Sequence, residues 1–123
     1  MATLTEGRVT AAYILTEANG LRSRDAAVIA SGAGKVEPGA VLGQVTASGK
    51  YAKHYPAAND GSETAAAILY AAVDATDADA ACVITARDSE VKKDELVLNA
   101  ATDTDNEKAA VYAALATKGI IVR

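Results

Sequence analysis

The residues best suited to chemistry are few and scattered. His54 is the only histidine and Cys82 the only cysteine. General acid–base work by a histidine needs an orienting partner and a pocket. His54 stands in KYAKHYP, between a lysine and a tyrosine, where surface or packing duty is the simpler reading. Catalysis there would require His54, Tyr55 and Asp60 to converge in one pocket. A reactive thiolate needs exposure together with nearby positive charge or a helix N-terminus. Cys82 instead falls in ACVITAR, a strand-forming run expected to bury it. With one histidine and one cysteine, the chain lacks the ligands of a structural zinc site.

Three further patterns fail on spacing. GAGKV at 32–36 would be a phosphate loop only with glycine at position 29 and Ser or Thr at 36, where Ile29 and Val36 stand. A calcium loop opening at Asp103 would need glycine at 108 and glutamate at 114, which are Lys108 and Ala114. Asp103, Asp105 and Glu107 read instead as favourable charge at a helix start. Asp74, Asp77 and Asp79 read as a solvated loop. No G-x-S-x-G elbow occurs. The expectation is a protein without catalytic residues, cofactor or metal, and not an enzyme.

Composition points the same way. The hydrophobic fraction is 50%, but much of it is alanine, and there is neither Phe nor Trp. A buried Val, Leu or Ile contributes about 1.5–3 kcal/mol and an alanine far less. A chain of 123 residues with that composition has a thin core, and burial between subunits is one remedy. A homo-oligomer is therefore expected. The net charge is −4 and the twelve Lys and Arg are dispersed, with no run longer than Lys92-Lys93. Direct binding to nucleic acid or to an anionic membrane is not expected. No apolar stretch is long enough to span a bilayer, and the N-terminus does not read as a secretory signal. One cysteine fits synthesis in a reducing cytosol.

The elements that follow are short. Residues 1–20 read as an arm, with VTAAYIL as a strand-capable run ending in the turn dipeptide Asn19-Gly20. An isolated apolar strand must pair either with its own body or with a partner. AVLGQVT alternates, with Val41, Gly43 and Val45 opposite Leu42, Gln44 and Thr46. The turn ASGK and a second extended piece opening at Tyr51 complete a hairpin. NDGS at 59–62 is a loop. A strand is expected over 67–73. In ACVITAR, Val83 and Thr85 face opposite Cys82, Ile84 and Ala86. Thr104-x-x-Glu107 is a capping box opening an alanine-rich helix that runs to Lys118, with Gly119 at C′ and IIVR as a last strand. The fold class is mostly β (β-rich α+β). It is a small barrel-like body over 21–123, with one C-terminal helix and a flexible arm over 1–20.

Four segments together carry a family likeness: EPGAVLGQVTASGKY (37–51), NDGSETAAAILY (59–70), VITARDSEV (83–91) and LATKGIIVR (115–123). TEANGLRSRD (16–25) adds to it. In their order and spacing the chain resembles the head decoration proteins of tailed phages, of the phage lambda type. The resemblance implies a homotrimer on the outer surface of the expanded capsid, at threefold and quasi-threefold positions. It implies the major capsid protein as partner, and a role in cementing the shell against packaged DNA. It implies a virion protein made in the host cytoplasm. It also implies capsid binding through the N-terminal arm, for which Val9, Tyr13, Ile14, Leu15 and Thr16 are the expected contact residues. An oligomeric adaptor module of another phage or prophage assembly is the alternative. A small enzyme built on His54, Tyr55 and Asp60 is the remote one.

Overall fold

Five short strands close into a barrel in the order β2-β5-β4-β6-β8. They are β2 (Arg24–Ile29), β4 (Val41–Gln44), β5 (Tyr51–Lys53), β6 (Ala65–Leu69) and β8 (Ala80–Thr85). The fold is that of a computed structural model, which describes residues 8–123. The expected β4–β5 hairpin is present, antiparallel, with Gln44 opposite Tyr51 and Leu42 opposite Lys53. A second, three-stranded sheet has the order β1-β9-β10, from Ile14–Glu17, Ser89–Val91 and Ile120–Val122. A small pair, β3 (Gly34–Val36) with β7 (Val73–Ala75), completes the β structure of the described residues.

The single strand expected over 67–73 is two strands. β6 ends at Leu69 and β7 begins at Val73, with Tyr70, Ala71 and Ala72 between them. The run AAAILYAAV over 65–73 is apolar and alanine-rich throughout, so hydrophobicity alone shows no break between them.

Two hydrophobic clusters share the barrel wall. One takes Ile29, Leu42, Leu69 and Ile84 from four barrel strands, with Val36, Ala67, Ala75 and Cys82. The other packs Val41, Ala65 and Ile68 from the same wall against Val91, Leu96 and Ile120, and against Val111 and Leu115 of the helix. Adjacent residues of β4 thus enter different clusters, Val41 one and Leu42 the other. This is why AVLGQVT carries apolar residues on both faces rather than a polar outer face. Gly43, next in β4, sits under the loop before β6. A Cβ there would meet the Ser62 backbone oxygen at 2.4 Å. Within loop 59–62 the Asp60 carboxylate accepts from the Ser62 amide at 3.0 Å and its hydroxyl at 2.6 Å, and the Asp60 carbonyl accepts from the Thr46 amide, just past β4, at 2.9 Å.

The helix α1 spans Asp105–Thr117 and starts where its capping box places it. Thr104 Oγ1 accepts from the Glu107 amide at 3.2 Å. The Glu107 carboxylate returns to the Thr104 hydroxyl at 3.0 Å rather than to its amide. Gly119 ends the helix at φ 80° and its amide donates to the Ala116 carbonyl. Val111 and Leu115, four residues apart, form the buried stripe. No helix among the described residues is long and apolar enough to cross a membrane.

Candidate docking surface

The residues with chemical potential are placed apart or occupied. His54 is buried, and its Nε2 lies 3.0 Å from the Glu63 carbonyl. A carbonyl only accepts, so Nε2 donates to it, and Nδ1 is buried without a partner. Tyr55 points to solvent and Asp60 is engaged by Ser62. Among the described residues no hydrogen bond joins His54, Tyr55 and Asp60 into one site. Cys82 is buried in β8, and burial pushes its thiol up, away from the reactive thiolate.

Two carboxylates of the 74–79 loop are engaged by neighbouring groups. Asp74 accepts from the Thr76 hydroxyl and amide, which hold its carboxyl below the usual range. Asp79 accepts from Lys50 and from the Ser31 amide, with the same effect. Among the described residues no three His, Cys, Asp or Glu side chains are grouped to hold a metal.

The N-terminal segment takes the first of the two courses open to a lone strand: it pairs with its own body. Within 1–20, residues 1–7 lie outside the described part. β1 is antiparallel to β9, with Ile14 opposite Val91 and Thr16 opposite Glu90, and a bulge between Ile14 and Thr16. Tyr13 is only 1% exposed and joins the cluster beneath the helix. Its hydroxyl lies 2.6 Å from Thr85 Oγ1, so each satisfies the other in the core. Burial pushes the Tyr13 phenol well up, and it stays neutral. At the end of β1, Glu17 pairs with Arg24, whose guanidinium stacks 4.3 Å over the Tyr70 ring.

The five expected contact residues therefore divide. Tyr13 faces the core and Ile14 packs against it. Val9 is 60% exposed and Leu15 45% exposed, which leaves both available to a partner. Thr16 is exposed, and its hydroxyl donates to Glu90 at 3.0 Å.

A second apolar surface was not singled out by the sequence. On the outer face of the β2–β8 pair, Ala26 lies opposite Val83 and Val28 opposite Ala81, all four exposed. The alternation of ACVITAR separated Val83 from Cys82 and Ile84. With apolar residues on both sides, it could not tell which side faces out.

With this geometry in place, the family comparison is decisive. The family described as bacteriophage lambda head decoration protein D matches residues 3–120. The chain belongs to that family. The head decoration family match spans the barrel, the helix and most of both smaller sheets, so it rests on the whole fold and not on one motif. No curated protein matches the chain.

Proposed function

We propose that this protein decorates the head of a tailed phage. It binds as a homotrimer to the outer surface of the expanded capsid, at threefold and quasi-threefold positions, and stabilises the shell against packaged DNA. The observation that carries the reading is the family match over residues 3–120. Its partner is the major capsid protein, with no role for nucleic acid or membrane, and it is made in the host cytoplasm.

Two features support the finer reading. The exposed Ala26, Val28, Ala81 and Val83 face is a surface that association with other copies would cover. A ring of three joins two different patches of each subunit, and this face is the proposed first of them. The N-terminal segment supplies the head contact. Val9, Leu15 and Thr16 present side chains outward, while Tyr13 and Ile14 anchor them to the body. Each segment alone binds weakly, because it offers only a few exposed side chains. Three on one trimer gain about 10²–10⁴ in avidity without new contacts.

Because Tyr13 is core, a change that separates binding from folding must spare it. The test heats expanded, undecorated heads alone, with the whole chain, and with a chain carrying Val9→Asp and Leu15→Asp. The whole chain is expected to raise the temperature at which heads survive, and the double variant to give little protection while remaining trimeric. Equal survival of bare and treated heads would contradict the reading.

A further inference from the structure

The turn between β1 and β2 holds the dipeptide Asn19-Gly20, and both residues are exposed. Gly20 sits at φ 65°, and a Cβ built on it would meet nothing within 4 Å. Among the described residues, neither the Asn19 side chain nor the Gly20 amide takes part in a hydrogen bond. The base of the same turn is pinned. Ser23 Oγ accepts from the Ala18 amide at 3.0 Å and donates to the Asp88 carbonyl at 2.9 Å. The Ala18 amide also reaches that carbonyl, at 3.1 Å, and the Arg24 amide donates to the Leu21 carbonyl at 3.0 Å.

Asparagine is a thermolabile residue, and its commonest failure starts from the main-chain nitrogen that follows it. That nitrogen, on losing its proton, bonds to the side-chain Cγ. The Cγ–Nδ2 bond breaks, ammonia leaves, and a cyclic succinimide remains. Water then opens the ring at either carbonyl, giving aspartate or isoaspartate. A glycine successor has no Cβ to hinder the attack and moves freely in φ and ψ. At Asn19-Gly20 the nucleophile, the carbonyl it attacks and the water that follows are all accessible.

The comparable positions each lack one of these conditions. The other asparagines, Asn59, Asn99 and Asn106, are followed by Asp60, Ala100 and Glu107, all with side chains. Asn99 Oδ1 is also occupied by the Ala101 amide at 2.9 Å, and the Glu107 amide by Thr104 Oγ1 at 3.2 Å. Asp60-Gly61 could close the same ring with loss of water. There the Gly61 amide donates to the Glu63 carboxylate at 2.8 Å, and Ser62 holds the Asp60 carboxylate.

We propose that Asn19 is a site of spontaneous modification, deamidating through a succinimide with Gly20 in the folded protein. The product carries one more negative charge beside Leu21, which is 71% exposed. The isoaspartate form also lengthens the main chain of the turn by one carbon. Because Ser23 fixes the base, the change stays within the turn and accumulates with the age of the protein without unfolding it.

The experiment incubates the whole chain, Asn19→Gln and Asn19→Asp at neutral and mildly alkaline pH, beside a free peptide of residues 16–25. Isoelectric focusing, peptide mass mapping and methyl transfer by an isoaspartate-specific carboxyl methyltransferase follow each with time. The whole chain is expected to shift from its net charge of −4 by one further negative unit, to the position of Asn19→Asp. The mass change should map to the peptide holding Asn19, methyl acceptance should rise with it, and both should run faster at the higher pH and keep pace with the free peptide. Asn19→Gln should show neither. An intact Asn19 in the folded chain, under conditions that convert the free peptide, overturns the proposal, because the fold then protects the turn. An acidic shift as fast in Asn19→Gln as in the whole chain overturns it as well, by placing the chemistry at another residue.

Discussion

The two hydrophobic clusters draw on different stretches of chain. Every buried member of the barrel cluster lies between Ile29 and Ile84. The cluster beneath the helix is closed by both ends of the chain, Tyr13 from one and Leu115 and Ile120 from the other. One core is self-contained, and the other depends on segments that arrive from far away in sequence. The N-terminal segment therefore has two duties, structural at Tyr13 and outward-facing at Val9 and Leu15, only a few residues apart.

The largest effect should come from breaking the dependent core. Tyr13→Ala removes its only buried aromatic and leaves Thr85 Oγ1 without its partner. A loss of about 3–5 kcal/mol in unfolding free energy is expected, read by denaturant titration. Leu69→Ala, in the barrel cluster, should cost about 2–5 kcal/mol. Amide exchange separates the two. Tyr13→Ala should deprotect β1, β9 and α1 before the barrel strands, whereas Leu69→Ala should deprotect the barrel. The same order of deprotection in both variants would contradict the division into two cores.

A smaller effect concerns pH. The Tyr13 phenol is raised above the free tyrosine value of 10.0 by burial. Above pH 10 the unfolded chain releases this proton while the folded chain keeps it. The unfolded state then binds fewer protons, and stability falls as pH rises. Below that pH the contribution is fully present. Tyr13→Phe should lose about 1 kcal/mol at neutral pH through the hydrogen bond to Thr85, and should flatten the alkaline decline. An unaltered decline in the variant would place the titrating group elsewhere.

The legible parts of the fold were those written locally. Thr104 and Glu107 announced the helix within one turn, Gly119 its end, and Asn59 to Ser62 a loop, because each is set by neighbours along the chain. Tyr13 was not legible as core. Its hydroxyl partner Thr85 is 72 residues away, and VTAAYIL is apolar whether it meets its own body or another protein. The pairing of both faces of β4 was hidden likewise, since Val41 and Leu42 each need a different distant cluster. The family was legible from the order of turn-rich segments, and the contact residues only as a region, because exposure at Val9 and Leu15 and burial at Tyr13 depend on the fold.

The smallest effect sharpens the boundary between the two duties. Ala11→Gly relieves the left-handed strain at φ 61° while enlarging the freedom of the unfolded chain. A net gain of up to about 1 kcal/mol is expected, with head binding unchanged. A loss of stability would show that Ala11 is not strained in solution.

The most direct test of the central claim is cosedimentation of the purified protein with expanded, undecorated heads of its own phage, counting the copies bound. Saturable binding in multiples of three is the predicted result. Heads that sediment without the protein at every concentration would contradict it.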